Sequence, residues 1–309
     1  EMRLLNYWTI ASFALTTAVL ASDPKPLVTP SDLAANLKQS DLVVLDIRGD
    51  AYSNGHIPGS ISAPYSLFRG PKNNPGQLSD VNLLEKHLEN LGLQIDDRIV
   101  IASAGKSDTD FGAAARVYWT LKSTGFDDLA ILNGGTLLWK NEGYATNKIS
   151  VNPEKTELDI EFSYQWTAET DQVVSVTKGE VDAILLDARP ITFYEGEKSH
   201  GAASRPGTLP NAKNYDYTSF FDEGSAAMAG ITDIATLAKD LGIDNGDEVV
   251  SFCNTGHWAA TNWFALSEVA GLDNIKLYPG SMVEYSNLDL PMENTPGLLK
   301  NLVKSISGN

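Results

Sequence analysis

Cysteine is almost missing from this chain: one residue, Cys253, stands among 309. No internal disulfide can form, so the fold must rest on its core and not on covalent staples. Histidine is scarce too. His56, His87, His200 and His257 are scattered, and with a single thiol they offer no metal-ligand spacing. Positive charge is in deficit, with 23 Lys and Arg against 40 Asp and Glu, a formal net charge of −17. No Lys/Arg cluster interrupts that balance, which excludes a nucleic-acid partner read through a basic face. The acidic excess serves solubility instead. The one long apolar stretch, from Leu4 to Ala21, is short for a bilayer span and contains Asn6 and several hydroxyl residues.

That stretch opens the chain, in "EMRLLNYWTIASFALTTAVLASDPKP". An Arg precedes the apolar run, the small residues Val19 and Ala21 have cleavage-site spacing, and polar Asp23 follows. This is the pattern of a secretory signal. Residues 1–22 are expected to be a signal peptide or a retained anchor, and the protein to be exported, periplasmic or secreted. Membrane contact is expected only if the segment stays attached.

The remainder is ordinary globular sequence, 42% hydrophobic and 20% charged, long enough for one large domain or two of common size. It reads as two halves that echo each other. "LVVLDIR" (42–48) recurs as "AILLDAR" (183–189), and "DRIVIAS" (97–103) as "DEVVSFC" (247–253). "GHIPGSISAPY" (55–65) recurs loosely as "GTLPNAKNYDY" (207–217), and "LAILNGGTLLWKNEG" (129–143) as "IKLYPGSMVEYSNLD" (275–289). The short apolar runs are buried parallel strands by pattern, and helical stretches such as "AAARVYWTLKSTGF" (113–126) alternate with them. The expectation is an α/β fold of two duplicated domains, each a mostly parallel sheet flanked by helices. Residues 23–146 form the first, polar residues 147–162 the linker, and residues 163–309 the second.

Cys253 ends a strand candidate, and "AATNWFALSEVAG" after it reads as a helix closing at Gly271. Between them lies "CNTGHW". A thiol on a strand-to-helix turn meets unpaired backbone N–H groups, which favour a thiolate. Gly256 lets the loop curl so that those groups form an anion nest. Such a turn is expected to expose Cys253 and make it reactive, where a core cysteine would face the sheet.

The chain resembles the tandem-domain rhodanese family of sulfurtransferases. "LDIR…GHIPGS", "AAARVYW", "LNGGTLLW", "LDARP", "FCNTGHWAAT" and "YPGSMVEY" carry the resemblance over roughly residues 25–297. It implies that Cys253 accepts a sulfane sulfur as a persulfide, cradled by Asn254, Thr255, Gly256, His257 and Trp258. Ser103 occupies the matching strand end in the first half, which is therefore expected to be silent. The family's cationic loop side chain is absent unless His257 serves. Phe193 stands where the substrate-binding Arg falls, and Thr208 where the motif histidine falls. His257 is expected either to attract an anionic donor when protonated or to take the thiol proton when neutral. Thr255 is a candidate donor to the terminal sulfur and Trp258 a wall against water. Asp187 with Arg189 is expected to brace the loop, as Asp46 with Arg48 would in the first half, and Arg205 is a further candidate for holding the donor.

Two rivals are weak. A cysteine phosphatase needs an arginine closing its loop, and this loop has none. Nothing in the architecture suggests a papain-type hydrolase. The expectation is a sulfurtransferase moving sulfur from a small donor such as thiosulfate, or 3-mercaptopyruvate, to cyanide or a thiol, with no cofactor. A non-enzymatic sulfur carrier acting within a complex is the alternative.

Overall fold

The computed structural model describes residues 25–297. The expected signal segment and the last residues of the second half lie outside them. In the first half, β1 (Leu27–Val28), α1 (Pro30–Asn36), β2 (Leu42–Asp46), β3 (Ile61–Ser62) and α2 (Val81–Asn90) are followed by β4 (Arg98–Ala102), α3 (Asp108–Ser123), β5 (Leu129–Leu132) and α4 (Gly135–Asn141). The strands order as β1-β5-β4-β2-β3, every pair parallel. β4 and β5 are buried almost throughout, which is why they read as unbroken apolar runs and not as alternating ones.

The second half repeats the plan. It runs α5 (Thr170–Thr177), β6 (Ile184–Asp187), α6 (Ile191–Tyr194), β7 (Lys213–Asn214), α7 (Ile231–Asp240), β8 (Val249–Phe252), α8 (Trp258–Phe264), β9 (Ile275–Leu277) and α9 (Ser281–Ser286). Its sheet orders as β7-β6-β8-β9, again all parallel. Where the first sheet has β1, the second has a single parallel bridge, Thr167 to Leu277. The stretch expected as one helix to Gly271 changes pitch: after Phe264 it continues as a π-turn over Ala265–Val269. Gly271 then takes a positive φ of 69°, the left-handed geometry of a helix terminator.

Residues 147–162 lie along the first domain. Thr156 N–H donates to Glu89 O, Leu158 N–H to the Glu89 carboxylate and Ile160 N–H to that of Glu85. The two domains share one apolar core, running from Leu45 and Ile101 through Trp119 to Trp263 and Phe264. Its centre is the contact of α3 with α8. Tyr118 meets Phe264 edge-on at 5.0 Å, and its hydroxyl donates to Glu268, which also pairs with Lys122 at 2.9 Å. Gly112 permits the close approach, because a Cβ there would come within 2.9 Å of the His257 ring and carbonyl. The C-terminal ends of the second sheet's central strands therefore face the first domain.

Candidate active site

Cys253 follows β8 directly. Its N–H donates to Ser281 Oγ at 3.0 Å, and its carbonyl accepts from Met282 N–H at the start of α9. The loop beyond it is held at its first residue. Asn254 O accepts from Val283 N–H, and Asn254 Oδ1 accepts from Arg189 Nη1 at 3.2 Å. Arg189 is itself locked to Asp187, with Nη2 2.6 Å from Oδ2, and donates to Gly207 O. Thr208 Oγ1 donates to the same carboxylate at 2.7 Å. This buried pair has its hydrogen bonds filled, which offsets the cost of removing two charges from water. Asp187 and Arg189 thus brace the loop from beneath.

Gly256 sits at φ 64°, and a Cβ there would lie 2.5 Å from Arg116 Nη1 and 2.6 Å from Pro279 O. Only glycine suits both the backbone and the space. Among the described residues, the N–H groups of Asn254, Thr255, Gly256 and His257 have no hydrogen-bond partner. Four free amides in a row beside a thiol are a cradle for negative charge.

Several expectations change. Cys253 is not exposed by its turn: it is 1% accessible and part of the shared core, because the first domain closes over the loop. His257 points into that domain. Tyr65 O–H donates to its Nδ1 at 2.9 Å, and its Nε2–H donates to Thr109 O at 2.8 Å. Because a carbonyl can only accept, Nε2 carries the proton, and the neutral ring is the Nε2–H tautomer. Burial pulls the His257 pKa down to about 4, and the Arg69 guanidinium adds to the effect. His257 is therefore neither a cation for the donor nor a free base; it fastens the loop to the first domain. Arg205 also lies elsewhere, donating to Ser286 O and Leu290 O at the end of α9.

Trp258 stacks on Tyr217 at 5.1 Å, meets Phe193 edge-on at 5.9 Å and donates to Thr109 Oγ1. It is part of an aromatic wall beside the loop. Thr255 is nearly buried, and its carbonyl accepts from Arg69 Nη2 at 2.9 Å.

Arg69 and Arg116 are what reading the loop alone misses. Both come from the first domain. Arg116, on α3, is 1% exposed and donates to Gly256 O at 3.2 Å and Gly76 O at 2.9 Å, while its Nε has no partner. Arg69 Nη1 is likewise buried and unpartnered. Neither arginine makes an ion pair with a carboxylate among the described residues. Burial pulls the Arg116 pKa down to about 9, and Arg69 nearby adds to this, while Tyr65 and Cys253 favour its charge. Two uncompensated cations behind a loop of free amides call for an anion.

The chain matches the Rhodanese-like domain family twice, over residues 29–142 and 172–288. It is 30% identical over 270 residues to a thiosulfate sulfurtransferase of Azotobacter vinelandii, covering 86% of this chain and 96% of that one. In fold it is similar to the 3-mercaptopyruvate enzyme SseA of Escherichia coli, with a TM-score of 0.72 at 20% identity over 83% of this chain and 98% of that one. Tum1 of Saccharomyces cerevisiae is also similar, with a TM-score of 0.75 at 19% identity over 89% and 100%. With the domain matched in both halves and a full-length relative at this identity, the chain belongs to the tandem-domain rhodanese family of sulfurtransferases.

Proposed function

We propose that the protein transfers a sulfane sulfur through a Cys253 persulfide, with thiosulfate as the donor class. The Cys253 thiolate attacks the outer sulfur. The donor's S–S bond breaks, a new bond joins Sγ to that sulfur, and sulfite leaves with the electron pair. A small nucleophile, cyanide or a thiol, then takes the outer sulfur and returns the thiolate. What carries the reading is the run of unpaired amides at Asn254–His257 with Arg69 and Arg116 behind it, neither paired with a carboxylate. These groups fit a dianion on arrival and the anionic persulfide after transfer. They also replace the loop cation and the arginine that Phe193 displaces.

Burial of Cys253 favours a small donor over a protein thiol, which supports enzyme over carrier. Export remains our proposal from the pattern of residues 1–22. The test of the reaction is intact mass after thiosulfate treatment, followed by turnover with cyanide. A gain of one sulfur atom, lost on adding cyanide, is expected. A gain with no turnover would favour the carrier, and no gain from thiosulfate would remove that donor.

A further inference from the structure

The first domain has its own strand-end loop, "SAGKSD" (103–108), and beside it a cavity of about 610 Å³. Its volume lies within the usual range for small-molecule sites, on the order of 300–1,000 Å³. The chemistry of its wall follows from a difference between the halves. In the second domain, Nη1 of the bracing arginine is taken by Asn254. In the first, Arg48 is locked to Asp46 at 2.6 Å and to Gly55 O in the same manner, but Ala104 stands where Asn254 would be. Thr136 N–H to Ser103 O and Leu137 N–H to Ala104 O repeat the pattern of Met282 to Cys253 and Val283 to Asn254, which fixes that correspondence. Arg48 Nη1 is left without a partner among the described residues, on a side chain only 8% exposed that lines the cavity.

Two more cations reach the same space, Lys106 and Lys140, and neither is ion-paired among the described residues. The one carboxylate on the wall, Asp110, accepts from Lys106 N–H and Ser107 N–H. In a chain of net charge −17 this is a local reversal of sign. The rest of the lining includes Ile47, Ala113 and Leu137, the last 40% exposed. Apolar lining beside convergent donors and cations suits a ligand that is charged at one end and apolar at the other.

We propose that this cavity is a second binding site, for a small organic monoanion such as a carboxylate with an apolar body. The anionic head would take the free N–H of Arg48 and the field of the two lysines. His257 and Tyr65 stand on its wall, so the ligand would touch the struts of the Cys253 loop.

The site can be tested on the resting full-length protein with no sulfur donor present. The probes are 3-phenylpropionate and its neutral amide, followed by calorimetry and by the His257 imidazole resonance, assigned with His257→Ala. The carboxylate is expected to bind saturably and shift that resonance, with the amide roughly tenfold or more weaker. Ala104→Asn, which gives Arg48 Nη1 its second-domain partner, and Lys140→Ala should each weaken the carboxylate about fivefold or more. Neither should change the folded spectrum. Arg48→Gln is the more drastic variant and is interpretable only if it stays folded, so the proposal stands or falls on the other two. Equal binding of acid and amide, no binding of either, or undiminished binding in both variants overturns it.

Discussion

The two strand-end loops descend from one plan and have diverged in three ways. One begins with Cys253 and the other with Ser103, after equivalent strands β8 and β4. Their left-handed glycines differ by one position: Gly105 lies two residues after Ser103, at φ 69°, and Gly256 three after Cys253, at φ 64°. The third difference is what the amides do. Asp110 reaches back to accept from Lys106 and Ser107, whereas the amides of Asn254–His257 stay free. A loop that gives two of its amides to its own carboxylate has fewer backbone donors left for an anion. The first-domain loop thus differs in two layers: serine stands in place of the cysteine, and Asp110 takes the Lys106 and Ser107 amides. The cations that would complete its site serve the other loop, since Arg69 and Arg116 both bond to carbonyls of the Cys253 loop.

The largest effect should come from Cys253, the proposed nucleophile. Cys253→Ser is expected to lower sulfur transfer by roughly 10⁴-fold or more, as loss of a covalent nucleophile does elsewhere, with the fold intact. Ser103→Ala should leave the rate within about threefold, under about 0.7 kcal/mol of barrier. Ser103→Cys sharpens the comparison. A thiol placed in the capped loop should gain no sulfur on treatment with thiosulfate, by intact mass in a Cys253→Ser background. Sulfur loaded there would show that the residue, and not the nest, is what separates the two halves.

The arginines come next. Arg69→Gln should lower kcat/KM for a dianionic donor by about 10- to 100-fold, roughly 1.4 to 2.7 kcal/mol, and less for a monoanionic one. Arg116→Gln should do the same and also loosen the loop, since it removes donors from Gly256 O and Gly76 O. A uniform loss across donors of different charge would make both residues struts only.

Much of this was legible in the sequence. The strands showed because parallel strands are buried on both faces and so appear as apolar runs, and the duplication showed because each run ends in Asp-x-Arg. Cys253 showed because it is alone. The burial of the thiol and the role of His257 were hidden, because both depend on a surface that arrives from the other half of the chain. Tyr65, Arg69 and Thr109 lie outside the "CNTGHW" loop and meet it only through the packing of the two domains. Arg116 did leave a signal. A lone cation inside "AAARVYW", on a helix buried along most of its length, needs a reason to be there. Its distance in sequence from Cys253 concealed what the reason was.

His257 gives the comparison a pH dependence, with a sign opposite to that of a donor-binding cation. Its folded pKa of about 4 lies below the ordinary 6.5, so the unfolded chain binds this proton first. The corresponding stability is present above about pH 6.5 and is lost as pH falls towards 4, by up to about 3 kcal/mol. His257→Gln should remove that acid-sensitive part, read from urea midpoints across pH 4 to 8. Donor affinity should be flat from about pH 5.5 to 8, because the imidazole is already neutral. An affinity that declines through pH 6.5 in the wild type, but not in His257→Gln, would return the histidine to donor recognition.

The smallest effect lies in the Ser103 loop and tests what Asp110 does to its amides. Asp110 lies in the first turn of α3, where its carboxylate and the Ser107 hydroxyl form a reciprocal capping box. Asp110→Ala frees the Lys106 and Ser107 amides and removes a negative charge from a helix N-terminus. Both losses are local, so the cost should be about 1 kcal/mol, a fall of roughly 2–4 °C in Tm. Sulfur transfer should not change, because no part of the Cys253 loop rests on that carboxylate. Amide exchange at Lys106 and Ser107 should quicken in the variant. The paired measurement adds sulfite to the wild type: it should slow exchange at residues 254–257, where the amides are free, and leave residues 106 and 107 as they were. Equal protection of both loops would mean that Asp110 yields its amides to an external anion. The difference between the domains would then rest on Cys253 and the arginines behind it.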